Sequence, residues 1–183
     1  QDNNVEANFY YRILTTIERK IRKLKSLGET VPDVGKTSLK ELMLNPPIVF
    51  YDRLNEIKTS FNESQLWRNK KLILIIDEFT YIFYQIKKGA ISQTFMQNWK
   101  AFIEDSGFSL VVSGQDTMKQ FTQEFPNEFG MFKPERLTYL DDVSAKELID
   151  EPVWDNANSR SRYTRDSIDK IISLTACSPF YIQ

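Results

Sequence analysis

Apolar residues recur along this chain in two rhythms, one helical and one unbroken, and the contrast between them sets the expected architecture. Across residues 6–27, Phe9, Ile13, Ile17, Ile21 and Leu24 fall at intervals of three and four, with Arg and Lys crowding the last turns before Gly28. That spacing predicts an amphipathic helix stopped by the glycine. Residues 28–45 contain Pro32, Gly35 and a short helical stretch at 38–44, which Pro46-Pro47 breaks. Helical spacing returns over 48–61 through Phe50, Leu54, Ile57 and Phe61.

The unbroken rhythm begins at Lys71. Leu72-Ile73-Leu74-Ile75-Ile76 is continuous, the pattern of a strand buried on both faces of a parallel sheet. A second such strand is expected over 108–113, beside the first. Helices are expected over 79–84 and 91–104 between them, then over 117–125, stopped by Pro126. Arg136 to Leu140 alternates like a short strand, and 144–151 and 165–175 read as helices. Strands separated by helices predict an α/β fold with a three-layer parallel sheet.

Composition narrows the chemistry. The chain of 183 residues carries 24 Lys plus Arg against 25 Asp plus Glu, a net charge of −1, so nothing global draws it to nucleic acid or anionic lipid. The basic run Arg19, Lys20, Arg22, Lys23 and Lys25 reads as a solvated helix face, and nucleic acid binding is unsupported. With no histidine and a single cysteine, Cys177, His-based zinc clusters, Ser-His and Cys-His catalytic arrangements and an internal disulfide are all excluded. No apolar run reaches the roughly 20 residues that span a bilayer, and the polar start Gln1-Asp2-Asn3-Asn4 is unlike a signal peptide. A cytoplasmic protein is expected. Trp67, Trp99 and Trp154 read as core or interface anchors.

In open α/β sheets ligands gather beyond the carboxyl ends of the strands, and Asp77 and Glu78 stand there directly after the first apolar run. Adjacent strand residues point to opposite sides, so the two acids are able to divide labour: Asp77 toward Mg²⁺, Glu78 toward a water attacking a γ-phosphate. The competing interpretation is that both simply favour the N-terminus of the next helix. After the second strand come Ser113-Gly114-Gln115-Asp116, where a polar side chain would sit beside the acids and hold the water. The alternative there is a plain strand-to-helix turn capped by Asp116.

These residues resemble known elements. Residues 72–79 resemble the Walker B strand of P-loop NTPases, and Val112-Ser113-Gly114-Gln115-Asp116 resembles a sensor-1 strand. Arg136-Leu137-Thr138-Tyr139-Leu140, with Ala145-Lys146-Glu147-Leu148-Ile149 and Glu151-Pro152-Val153 after it, is similar to the strand and lid helix of prokaryotic AAA-like ATPases. Residues 171–183, ending Ser178-Pro179-Phe180-Tyr181-Ile182-Gln183, resemble their "I-x-x-L-T-G-G-x-P-Y-x-I-Q" element. Such ATPases belong with the STAND signalling and archaeal-type groups. The resemblance covers residues 48–183 and implies an ATP-binding, ATP-hydrolysing signalling or regulatory switch using ATP and Mg²⁺. It implies Asp77 for metal, Glu78 for catalysis, Ser113 or Gln115 as nucleotide sensor, Arg136 as a charge-sensing catalytic arginine and Pro179 beside the adenine. It implies a partial P-loop NTPase core at 1–140 and the start of a helical lid at 141–183. Effector domains and a homo-oligomer are the implied partners. The glycine pair of the last element is replaced by Ala176-Cys177, which puts close approach of backbone to nucleotide in doubt.

A phosphate loop, G-x-x-x-x-G-K-[ST] after a strand, wraps phosphates in consecutive backbone amides. Gly35-Lys36-Thr37-Ser38 is the nearest candidate, but Thr30 stands where the first glycine belongs, Pro32 removes an amide, and a charged helix precedes it. The expectation is a fragment that begins after the phosphate loop and is inactive alone. The alternative is an NTPase-like scaffold or interaction domain without chemistry.

Overall fold

A computed structural model of the chain describes residues 4–106, 108–158 and 160–182. Gln1, Asp2 and Asn3 of the polar start, and Gln183 at the end of the resemblance, lie outside the described residues. Helix accounts for 59% and strand for 6%, which corrects the expected three-layer P-loop-type sheet: among the described residues the sheet has two strands. The reason is in the sequence itself. The apolar runs before Asp77 and before Ser113 form the two strands, whereas Ile48-Val49-Phe50-Tyr51 and Tyr81-Ile82-Phe83-Tyr84 lie inside helices, whose backbone groups are satisfied internally.

The chain divides into two compact units, Gln1–Phe132 and Lys133–Gln183. The first opens with α1 (Val5–Ser26), whose first turn is capped by Asn4, its side chain accepting from the Ala7 amide at 2.9 Å. Helices α2 (Leu39–Leu44) and α3 (Pro46–Glu63) follow, and Pro46 and Pro47 stand at the start of α3, where a missing N–H costs nothing. Strand β1 (Ile73–Ile76) leads through α4 (Thr80–Lys87) and α5 (Phe95–Ser106) to β2 (Ser109–Val112). The two strands pair in parallel, Ile73 opposite Ser109 and Ile76 opposite Val112, as expected. Short helices α6 (Met118–Glu124) and α7 (Pro126–Phe129) complete the unit.

Aromatic rings fill its core. Tyr10 from α1 stacks on Phe50 from α3 at 4.4 Å, and Trp99 from α5, fully buried, lies parallel to Phe95 at 5.8 Å. Leu74, Ile76, Leu110 and Val112 turn toward this cluster. Their neighbours do not: Ile73, Ile75 and Val111 are 61%, 73% and 53% exposed. The strands were expected to be buried on both faces, and that is corrected here. Each run stays apolar, but alternating positions leave one face of a two-stranded sheet in solvent.

In the second unit α8 (Asp142–Asp150) is capped by Asp141, a single 3₁₀ turn (Glu151–Val153) follows, and α9 (Arg165–Thr175) is capped by Thr164. Residues 136–140 form no strand, a further correction: they have alternating side chains but no partner strand among the described residues. The Leu140 amide instead donates to the Cys177 carbonyl at 3.0 Å. Helix α9 ends in the left-handed region at Ala176 (φ +48) and Cys177 (φ +59) before α10 (Pro179–Ile182). No described helix is long and apolar enough to cross a membrane.

Candidate functional site

The parallel ladder carries the chain past Ile76 and Val112 and sets the two following loops side by side. The Ser113 amide donates to the Ile76 carbonyl at 2.9 Å, and the Phe79 amide donates back to the Ser113 carbonyl at 2.8 Å. Beyond these bonds the side chains diverge by type. Phe79 turns inward, buried, stacked against Phe121 at 5.7 Å, while Asp77 and Glu78 stay exposed. Burying the ring fixes where the acids can point.

Asp77 Oδ1 accepts from the Glu78 amide at 2.9 Å and from the Ser113 hydroxyl. Across the same gap the Gln115 amide donates to Glu78 Oε1 at 3.3 Å. The four residues singled out at these strand ends, Asp77, Glu78, Ser113 and Gln115, are thus joined into two side-chain pairs. Glu78 adopts φ +55, a conformation that costs an ordinary residue about 1–2 kcal/mol and tends to persist where surrounding structure enforces it. Gly114 is required for a different reason. A Cβ there would come within 2.6 Å of Met118 Cγ and 2.8 Å of Thr80 Cγ2, so the second loop packs directly on the start of α4.

Asp77 fits a share in holding a divalent cation. Its Oδ2 accepts no hydrogen bond among the described residues, whereas Oδ1 is fixed by two donors. Magnesium is commonly held by one or two protein carboxylates with phosphates and waters completing the shell, so a larger acid cluster, which the described residues do not contain, is not needed.

Arg136 and Pro179 belong to the second unit. Arg136 is exposed in the irregular stretch before α8, and Pro179 is half-buried at the first position of α10. The Ala176-Cys177 pair takes up the left-handed geometry that glycines adopt most readily. The Cys177 thiol is pushed up from its ordinary value by burial and by the hydrogen bond to Asp142, which makes it a poor nucleophile.

The Gly35-Lys36-Thr37 stretch is not arranged as a phosphate loop. The Thr37 amide donates to Glu18 Oε1 at 2.7 Å, and the Thr37 hydroxyl donates to the same oxygen. A buried carboxylate therefore holds the Thr37 amide and hydroxyl that a phosphate loop would offer. Glu18 was not singled out from the sequence, yet it follows Ile17 and precedes Ile21 by one turn, on the flank of the apolar stripe of α1. An acid so placed is a signal for a buried partner. Compared with protein-family models, with curated proteins and with solved structures, the chain matches none.

Proposed function

We propose that the tips of β1 and β2 form the metal-and-water side of an ATP-hydrolysing site in a signalling or regulatory switch domain, similar in this half to prokaryotic AAA-like and STAND NTPases. The observation that carries it is the convergence of Asp77, Glu78, Ser113 and Gln115 in two hydrogen-bonded pairs at the carboxyl ends of adjacent parallel strands. Acids that merely favour a helix start have no need of partners from the neighbouring strand.

Each residue then has a role. Asp77, oriented by Ser113 and by the Glu78 amide, contributes one oxygen to Mg²⁺, whose charge when bound offsets that developing on the phosphates. Glu78 orients a water and takes its proton. Gln115 holds the Glu78 carboxylate and links its position to the second loop, which makes it the sensor. Arg136 and Pro179 are proposed, on the resemblance alone, to sense charge and to flank adenine. The protein works in the cytoplasm, with effector domains or further copies as partners.

A second function has its own observation. Glu18 holds Thr37, so residues 35–38 supply no P-loop-type amide cradle, which a scaffold or interaction domain without the chemistry would not need. Steady-state ATPase assays on the intact protein separate the two. Magnesium-dependent turnover that falls about 10²–10⁴-fold in Glu78→Gln, with nucleotide still bound, is expected of the hydrolase. Turnover absent from the wild type, or unchanged in Glu78→Gln, rejects it.

A further inference from the structure

Residues 31–36 have neither helix nor strand, yet they are held at both flanks and at Val34. Trp67 Nε1 donates to the Thr30 carbonyl at 2.7 Å, Arg53 Nη2 to the Val34 carbonyl at 2.7 Å, and Thr37 is tied to Glu18. Gly35, at φ +66, leaves room for the Arg53 guanidinium, which a Cβ would approach to 3.3 Å. An irregular segment fixed this firmly is preorganised, so a ligand binding against it loses little to ordering.

Between this segment and α1 lies a cleft of about 310 Å³, at the lower end of the range that small-molecule sites occupy. Its apolar surface comes from Ile21 and Val34, both buried, and from the half-buried Val31 and Pro32. Arg22, Lys25 and Lys36 also line it, and among the described residues none of the three has a carboxylate within ion-pair distance. Of the two acids of the lining, Glu18 alone faces a cation among the described residues. Glu18 faces Arg53 at 3.8 Å and accepts from Thr37, and Asp33 accepts from the Gly35 amide at 3.3 Å. Among the described residues the three cations Arg22, Lys25 and Lys36 therefore outnumber the one unpaired carboxylate of the lining, Asp33, beside an apolar floor.

We propose that this cleft binds a small organic phosphate, with Arg22, Lys25 and Lys36 meeting the phosphate and Val31, Pro32 and Val34 covering a compact apolar body. A phosphate monoester carries nearly two negative charges at neutral pH and matches several cations better than a carboxylate does. The cleft shares no residue with the strand tips, so its fate and that of the ATP site are decided separately.

Phenyl phosphate is the probe, titrated into the ¹⁵N-labelled chain while amide resonances are followed. Saturable shifts at Gly35 and Lys36 are expected, with benzoate and inorganic phosphate each binding at least about tenfold more weakly, a difference of about 1.4 kcal/mol. Arg22→Gln combined with Lys36→Gln should weaken phenyl phosphate at least about tenfold. Lys23→Gln, on the same helix but outside the cleft lining, should leave it unchanged. These are exposed side chains, and unaltered spectra elsewhere verify that the variants fold. The proposal is overturned by shifts that do not saturate, by saturation at other amides, by inorganic phosphate binding as well as the ester, or by a double variant that binds like the wild type.

Discussion

The Ser113 hydroxyl donates to Asp77 Oδ1, the same oxygen that accepts the Glu78 amide at 2.9 Å, so one carboxylate clamps the ends of both strands. The clamp adds side-chain bonds beside the last backbone bonds of the ladder, those of Ser113 with Ile76 and Phe79. Ser113→Ala removes one of the two donors and is expected to cost about 0.5–1.5 kcal/mol. Asp77→Ala removes the acceptor for both and should cost more. Urea denaturation of the two variants measures the order, and equal stability of Asp77→Ala and the wild type would show that the clamp contributes nothing.

Glu78 sits at φ +55 and has an exposed side chain, so its conformation works against stability while its carboxylate serves the site. Glu78→Gly should raise stability by about 0.5–1 kcal/mol, the left-handed strain of about 1–2 kcal/mol less the extra freedom of glycine in the unfolded chain. It should also abolish turnover in the intact protein. A variant both more stable and inactive is the signature of strain held for function. Loss of stability in Glu78→Gly would remove the strain argument.

Ala176 and Cys177 adopt the same left-handed geometry, at φ +48 and +59, beyond the last residue of α9. Ala176 is exposed, so adding or removing its methyl changes little packing. Ala176→Gly should therefore stabilise the chain by about 0.5–1 kcal/mol, since glycine is the residue helices prefer at this position. Ala176→Val should do the reverse, because a β-branched side chain is least tolerant of positive φ. Thermal unfolding of both variants against the wild type tests the opposite signs.

Glu6 on α1 is buried, and burial raises its carboxyl above the ordinary value of 4.5 even though the Ser92 amide favours the ionised form. The folded chain thus binds this proton more tightly than the unfolded chain does. Its contribution to stability is greatest below about pH 4.5, falls as pH rises from there through the raised folded value, and is flat above it. Glu6→Gln keeps the shape and removes the titration. Relative to the wild type, Glu6→Gln should gain stability as pH rises across that window, measured as urea midpoints at several pH values. A constant difference across the window would mean Glu6 does not titrate as its burial requires.

The helices were legible because their apolar periods are long. Five apolar residues at intervals of three and four place α1, and α9 falls where 165–175 was expected. The parallel pair was legible as well, because each apolar run ends directly in polar residues, Asp77-Glu78 and Ser113-Gly114-Gln115. Its surroundings were not. An unbroken run such as 72–76 states that every side chain is apolar, not that anything covers both faces, and Ile75 at 73% exposed shows the difference. Residues 136–140 show the same limit: alternation suits a strand, but a strand also needs a partner with free backbone groups. At the strand tips, residue types announced Asp77, Glu78, Ser113 and Gln115. The pairing between them, and the positive φ of Glu78, depend on how the two loops meet and had no local signal.

One-sided burial of the sheet has a direct energetic consequence. Ile75 and Val111 face solvent as cross-strand partners, whereas Leu74 and Leu110, one residue earlier in each strand, pack against the core. Ile75→Thr keeps β-branching and strand propensity while replacing an exposed methyl-bearing arm, so it should change stability by no more than about 0.5 kcal/mol. Leu74→Ala removes half-buried contacts with the aromatic cluster and should cost about 2 kcal/mol, at the low end for core truncations because Leu74 is not fully buried. The difference between the two losses carries the test. A sheet covered on both faces would lose comparable amounts at the two positions, so similar costs for Ile75→Thr and Leu74→Ala in urea denaturation would contradict the open face.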